Sequence, residues 1–473
     1  MGFFLETTIG GLMSGVLYSL VALGFVLIFK ASGVFNFAQG AMVLSAALAM
    51  ARFSEWFPHW LGFDSKLLAN ALAFVAAMAL MVVAAWMIER LVLSKLVNQE
   101  GITLLMATLG IAYFMDGSGQ TIFGSDIYKI DIGLPKDPVF LFESVFQGGV
   151  LVNKEDLFAA GIAAALVVGL SIFFQYTATG RALRAVADDH QAAQSIGIPL
   201  NRIWVIVWSV AGFTALVAGI IWGSKLGVQF SLSLVALKAL PVVILGGLTS
   251  VPGAIIGGLI IGVGEKLSEV YIGSQIGGGI EIWFGYVLVL FVLLARSHGL
   301  FGEPMIDRLC PADNETMLYR ENGQFKTTYR ADQQVFPITQ DRIAIGALLA
   351  FALVGVPLLV QDDYLFRAIL IPFLILGLAA LGLNILVGYC GQISLGTGAF
   401  MAVGAYAAYN FMVRIDGMPT LAAILLGGLC ATIVGVLFGV PSLRIKGLYL
   451  AVATLAAQFF VDWAMLRVKW FTN

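Results

Sequence analysis

Residues 22–42 read ALGFVLIFKASGVFNFAQGAM, and residues 380–400 read ALGLNILVGYCGQISLGTGAF. The stretches align without a gap, so Ala22, Leu23, Gly24, Gly33, Gly40 and Ala41 fall on Ala380, Leu381, Gly382, Gly391, Gly398 and Ala399. ATLGIAYFMD at 107–116 and ATLAAQFFVD at 453–462 follow in the same order, again ungapped. The offset drops from 358 to 346 between the two pairs, as one shortened connection would give. Duplication predicts two related halves, and both lie in strongly apolar sequence. Such a pair describes a transporter far better than an enzyme.

Hydrophobic residues make up 60% of the chain and charged residues 11%, where a soluble domain has about half and a quarter. Apolar runs of about 20 residues recur throughout, each long enough for about 30 Å of hydrocarbon. Backbone groups in lipid must bond internally, so the runs are predicted to be helices. The period-two alternation of an outer-membrane barrel is absent. The fold class expected is an all-α polytopic membrane protein of the inner-membrane type, with the lipid bilayer as its first partner. A net charge of −2 gives no field to draw nucleic acid. Cys310, Cys390 and Cys430 form no disulfide or metal framework, and His59, His190 and His298 lie far apart. The opening MGFFLETT lacks a basic signal-peptide region, so the first apolar segment is expected to be retained as a span.

Spans are predicted at 9–29, 36–53, 67–88, 102–123, 157–176, 203–223, 233–249, 251–272 and 281–295, then at 343–360, 365–387, 392–413, 419–439 and 447–465. This gives two domains of about nine and five segments. The segments 36–53 and 233–249 are short enough to be re-entrant. Basic residues set orientation. Lys30, Arg90, Lys95, Arg181, Arg184, Arg202 and Arg296 place the 177–202 loop in the cytoplasm, with the acidic 124–156 loop and the N-terminus outside. The charged stretch 297–342 reads as a cytoplasmic linker between a first domain, 1–296, and a second, 343–473. The span 343–360 restores the direction of the chain, so the repeat is parallel, with its axis along the membrane normal. Asn473 follows Thr454 by 19 residues, whereas Thr108 is followed by about 190 before the linker. The second copy is therefore expected to lack about 170 residues of its counterpart.

The 177–204 loop, TATGRALRAVADDHQAAQSIGIPLNRIW, is predicted to hold a helix from Arg181 to Ser195, stopped by Gly197 and Pro199. Alanines 182, 185, 187, 192 and 193 offer a small-residue surface for a partner's groove. The bland alternative is an amphipathic helix lying on the membrane with its arginines on lipid phosphate. GRALRAVADDHQAAQSIGI resembles the cytoplasmic coupling loop of ABC importer permeases of the branched-chain amino acid (Liv) family. Residues 15–42 resemble the opening of that family's H-type subunit. Residues 380–408 and LRIKGLYLAVATLA at 443–456 resemble its M-type partner, and MLYRENGQFKTTYRADQQVFPI from Met317 resembles an M-type start. The resemblance implies an H-type permease domain fused to a C-terminally truncated M-type domain. It implies as partners two cytoplasmic ATPase subunits and an external or periplasmic solute-binding protein, all at the cytoplasmic (inner) membrane. By the same resemblance Arg181, Arg184, Asp188, Ala192, Ala193 and Gly197 form the ATPase-coupling loop. Gln39 and Thr397 stand where many relatives carry histidine, which leaves branched-chain or other small amino acids beside urea or a short amide as cargo.

Asn36, Gln39, Gln392, Ser394 and Thr397 occupy repeat-related positions. Uncharged polar groups in a membrane glue helices or line a path, and as a set these mark the expected translocation pathway. Glu265, Lys266 and Glu269 are expected to face outer water, and Asp116 and Asp462 to cap helix ends or face the surface. Gly11/Gly15, Gly253/Gly257, Gly258/Gly262 and Gly435/Gly439 have the spacing of close helix contacts. GGLIIGVGEKLS at 257–268 lacks the spacing of a phosphate loop, and no such motif occurs elsewhere, so the chain carries no cofactor and ATP is used by partner subunits. An ion-coupled carrier would need more charge at mid-membrane. An enzyme would need clustered His, Cys, Ser or carboxylate machinery that the sequence lacks.

Overall fold

A chain this apolar satisfies its backbone with intrahelical bonds, and a helix stands at every expected span in the computed structural model. It describes residues 2–33, 35–96, 101–133, 135, 137–141, 149–188, 190–296, 299–302, 339–359, 363–442, 448–468 and 470. In chain order the helices are α1 (Gly2–Ser32), α2 (Gln39–Leu61), α3 (Lys66–Leu91), α4 (Gly101–Phe123), α5 (Lys154–Tyr176), α6 (Ala178–Asp188), α7 (His190–Ser195), α8 (Leu200–Leu226), α9 (Ser231–Leu237), α10 (Ala239–Gly246), α11 (Val251–Tyr271), α12 (Gly273–Ile276) and α13 (Phe284–Ala295). After the linker come α14 (Thr339–Ala350, continued by a π turn, Phe351–Gly355, and an α turn, Val356–Leu359), α15 (Ile371–Asn384, flanked by π turns), α16 (Thr397–Arg414), α17 (Thr420–Ser442) and α18 (Leu448–Arg467). A two-stranded antiparallel hairpin, β1 (Pro138–Leu141) with β2 (Val150–Asn153), precedes α5. Among the described residues eight helices are long and apolar enough to cross a membrane.

α1 is apolar all round, as a helix buried on every side must be, and Leu17 to Ile28 are enclosed. Glycines make this possible. A Cβ on Gly15 would stand 2.5 Å from the Gly258 carbonyl oxygen, and one on Gly11 2.7 Å from Val263 Cα, so α1 and α11 meet backbone to backbone and antiparallel. Gly253 and Gly257 abut α10 in the same way. Gly435 and Gly439, expected to pack likewise, have no neighbouring atom near the space a Cβ would fill. α8 is the second enclosed helix, with Trp208 fully buried.

The short segment expected at 233–249 is two helices, α9 and α10, meeting at Lys238. Pro241 supplies the reason: it has no N–H to give the Leu237 carbonyl one turn back. The Tyr286 hydroxyl of α13 donates to that carbonyl instead, at 2.9 Å. The spans expected from residues 36 and 392 begin as irregular backbone and turn helical only at Gln39 and Thr397.

The chain divides into two compact units. One joins residues 1–303 with 392–473, and the other holds 304–391, so the expected second domain, 343–473, is shared between them. In the first unit α16 and α17 pack through Gly404 and Gly427, and α18 lies against α13. In the other unit α14 and α15 expose nearly all of their apolar side chains. Most of the expected linker, 303–338, lies outside the described residues.

Candidate functional site

The repeat is written in hydrogen bonds as well as letters. Gly33 and Gly391, one offset apart, both take positive φ, 67° and 64°. That left-handed turn costs glycine little and ends the preceding helix. In the first copy the Asn36 side-chain oxygen accepts the Ala38 N–H at 3.0 Å. In the second, the Ser394 hydroxyl accepts the Gly396 N–H at 3.4 Å. The Thr108 hydroxyl of α4 accepts the Phe37 N–H at 3.4 Å and lies 2.9 Å from the Leu105 carbonyl. The Thr454 hydroxyl of α18 accepts the Leu395 N–H at 2.9 Å and donates to Ala451 at 2.7 Å. Each unwound loop is thus pinned by a threonine one repeat offset from its twin. Thr108 and Thr454 escaped the sequence reading as site residues, although both belong to the repeated ATL block.

The copies then diverge. Asn36 and Gln39 are fully buried. The Asn36 amide donates to Gln39 Oε1 at 3.3 Å, and Gln39 Nε2 donates to the Ala211 carbonyl of α8 at 3.3 Å. Gly24 leaves the room for Gln39, since a Cβ there would stand 2.5 Å from Nε2. Ser394 is buried, while Gln392 and Thr397 are partly exposed. The polar set therefore comprises an enclosed, internally bonded half and a half in which Gln392 and Thr397 are partly exposed.

A second polar cluster gathers where α9 meets α10. Lys238 Nζ lies 2.8 Å from Glu265 Oε1, which also accepts the Tyr18 hydroxyl at 3.0 Å. Lys238 is 3.9 Å from Glu281, and Lys266 is 3.4 Å from the same carboxylate. Glu269 accepts the Gly279 and Glu281 N–H groups at 2.8 and 3.2 Å. Glu265, expected in outer water, is instead 2% exposed: an ion pair to Lys238 and a phenol bond hold its charge inside the bundle. Asp116 and Asp462 lie within helices rather than capping them. Asp462 accepts from Gln458 at 3.1 Å, while one buried oxygen of Asp116 has no partner among the described residues.

The polar loop is helical over Ala178–Asp188 and His190–Ser195, with residue 189 outside the described residues. Thr177 starts it, its hydroxyl accepting the Gly180 N–H at 3.1 Å. Gly180 rides directly on the Phe174 backbone, where a Cβ would collide. Arg181 and Arg184 donate to the Tyr176 and Gln175 carbonyls at 3.2 Å each. These are carbonyls at the α5 C-terminus, where helix geometry leaves acceptors unpaired and favours cations. Leu183 and Val186 are buried against the bundle, so the arginines grip α5. Gly197 takes φ 86°, and its N–H donates to the Gln194 carbonyl at 3.0 Å. Ala193, expected on the docking surface, is buried in the bundle; the side chains of Asp188 and Ala192 lie outside the described residues. Lys30 and Arg184 line one depression, and Arg90 and Arg202 another beside Glu89.

The stretches that carry the two pinned unwound loops and the docked polar helix fall within the residues that match a family model. The model of the branched-chain amino acid transport system permease component matches residues 7–296 and 365–472. The chain belongs to that family. It is 28% identical to the high-affinity branched-chain amino acid transport system permease protein LivH of Escherichia coli over 328 residues, covering 65% of this chain and 98% of that protein. It is 27% identical to BraD of Pseudomonas aeruginosa over 308 residues, at the same coverage. LivM of Escherichia coli matches at 41% identity over 83 residues, 18% of this chain and 19% of LivM. The chain is thus a Liv-type, multi-pass membrane permease with LivH-like and LivM-like features and the permease role of an ABC importer. Its relatives are transport permeases, not enzymes.

Proposed function

We propose that this permease carries branched-chain or other small amino acids across the cytoplasmic membrane. A binding protein delivers the solute from outside, and two cytoplasmic ATPases supply the work. Residues 1–296 act as the H-type domain and 343–473 as the M-type domain. α6–α7 is the coupling element, at the cytoplasmic end that Lys30, Arg90, Arg184 and Arg202 mark by the positive-inside rule. The observation that carries this reading is the attachment of α6. Its two arginines hold the end of α5 while Leu183 and Val186 hold the core. A push on α6 therefore moves α5 and the helices packed on it. The twin unwound loops flank the pathway, with Gln392, Ser394 and Thr397 reaching it on one side and Asn36 and Gln39 bracing it on the other.

Capture of the ATPase subunits in detergent tests the coupling element. Wild type is expected to retain them and the Arg184→Glu, Gly197→Pro variant to lose them, with both chains equally monodisperse. Failure of folded wild type to retain an ATPase overturns the coupling assignment. Uptake of labelled leucine by the assembled importer, competed separately by valine and by urea, decides the cargo. Competition by urea alone replaces the amino acid with the short-amide reading.

A further inference from the structure

α4 and α18 are copies of one another, yet only one of them has its aromatic face covered. Phe459 of α18 stacks on Tyr286 of α13 at 4.7 Å between ring centroids, and Phe460 meets Trp283 edge-on at 5.4 Å. The Trp463 indole also donates to the Gly278 carbonyl at 3.0 Å. One offset back, Phe459 and Phe460 become Tyr113 and Phe114 on α4. These two side chains are 78% and 73% exposed.

The two helices have the same rotation about their axes. Ile111 and Met115 of α4 turn into the bundle, as do their counterparts Ala457 and Val461 of α18. The exposed face of α4 also carries Gly110 and Gly117, with no neighbouring atom near the space a Cβ would fill at either. Small residues flanking an aromatic pair allow a second helix to approach closely. Tyr113 lies about midway along a helix about 35 Å long, and its hydroxyl has no hydrogen-bond partner among the described residues. Tyrosines that face lipid gather at the membrane interfaces, where the hydroxyl is wet. One at mid-helix calls for protein beside it. The chain's own α13 cannot fill this place, because α18 already covers its rings.

We propose that the Gly110–Tyr113–Phe114–Gly117 face of α4 docks the second-repeat counterpart of α13, a membrane helix carried on an M-type permease segment. The contact would reproduce, across the symmetry of the repeat, the one that α18 makes with α13. It goes beyond the coupling assignment and rests on the repeat and the packing rather than on α6.

Photocrosslinking from within the membrane tests it. Benzoylphenylalanine is placed at residue 113, 459 or 75 of the full chain, in membranes of the organism that makes it, and the adducts are sequenced. Position 459 is expected to reach α13 of the same chain. Val75, 65% exposed on α3, is expected to give lipid adducts alone. Position 113 is expected to give a peptide of an M-type permease that aligns with Phe284–Ala295. Lipid adducts alone at 113, or adducts with a second copy of this chain or with an unrelated protein, overturn the proposal. So does failure of position 459 to reach α13, since the contact being copied would then be absent. ATPase capture is unaffected by any of these results, so the two readings fail separately.

Discussion

Tyr286 does two jobs that a mutation can separate. Its hydroxyl satisfies the carbonyl that Pro241 leaves unpaired, and its ring receives Phe459. Tyr286→Phe keeps the ring and orphans the Leu237 carbonyl, so it is expected to cost about 1 kcal/mol in detergent unfolding while α18 stays docked. Tyr286→Ala removes the ring as well and is expected to cost about 3 kcal/mol or more. Equal losses for the two variants would show that the stack contributes nothing. Glu265 is the residue with most at stake, because its charge is enclosed and balanced by Lys238. Lys238→Met leaves that carboxylate without its cation and is expected to cost about 3 kcal/mol. The double variant Lys238→Met, Glu265→Leu should recover part of the loss. A double variant less stable than Lys238→Met alone contradicts this account. Thr108→Val strands the Phe37 N–H in a closed interior and is expected to cost about 1–3 kcal/mol by the same unfolding assay. Thr454→Val, in its half-buried twin, should cost less.

Among the elements, α6 is the most sensitive to a single methyl group. Gly180→Ala drives a Cβ into the Phe174 backbone, so α6 must lift from α5 and the arginine bonds to Gln175 and Tyr176 must break. ATPase capture is expected to fall at least about tenfold, with some loss of thermal stability as Leu183 and Val186 give up part of their burial. Retained capture would show that α6 tolerates the displacement. The loops and helices were legible to different degrees. Gly33 and Gly391 could be aligned by eye, and the φ angles they adopt are the reason those letters recur. The α9–α10 break could be read only as a short segment, because its repair by Tyr286 comes from 49 residues away. The Glu265 cluster was misread for the same reason: Tyr18 is 247 positions distant, and Lys238 lies in an apolar run that gives no hint of a partner. Local spacing around Glu265 showed Lys266 and Glu269 instead. Ala193 and Gly435 were assigned by residue type, which records size and not the direction a helix turns.

For the molecule as a whole, the apolar runs placed a helix at each expected span in order, but not how the chain groups them. Sequence order set a boundary at the polar linker, whereas packing draws residues 392–473 in with 1–303. The contact responsible is between α18 and α13, two helices on opposite sides of that linker, and no periodicity in either announces it. α1 brings a further consequence. Its 31 residues extend about 46 Å at the usual rise per residue, whereas the hydrocarbon layer is about 30 Å deep. A tilt within the usual range does not absorb the difference, and the glycine seam with α11 leaves α1 little freedom to lean independently. The apolar stretch 9–29 alone matches that layer, so the first turns, with Glu6, Thr7 and Thr8, stand in the headgroups. Uptake in vesicles should therefore peak where phosphatidylcholine chains match the 9–29 stretch and fall with shorter or longer chains at constant protein content.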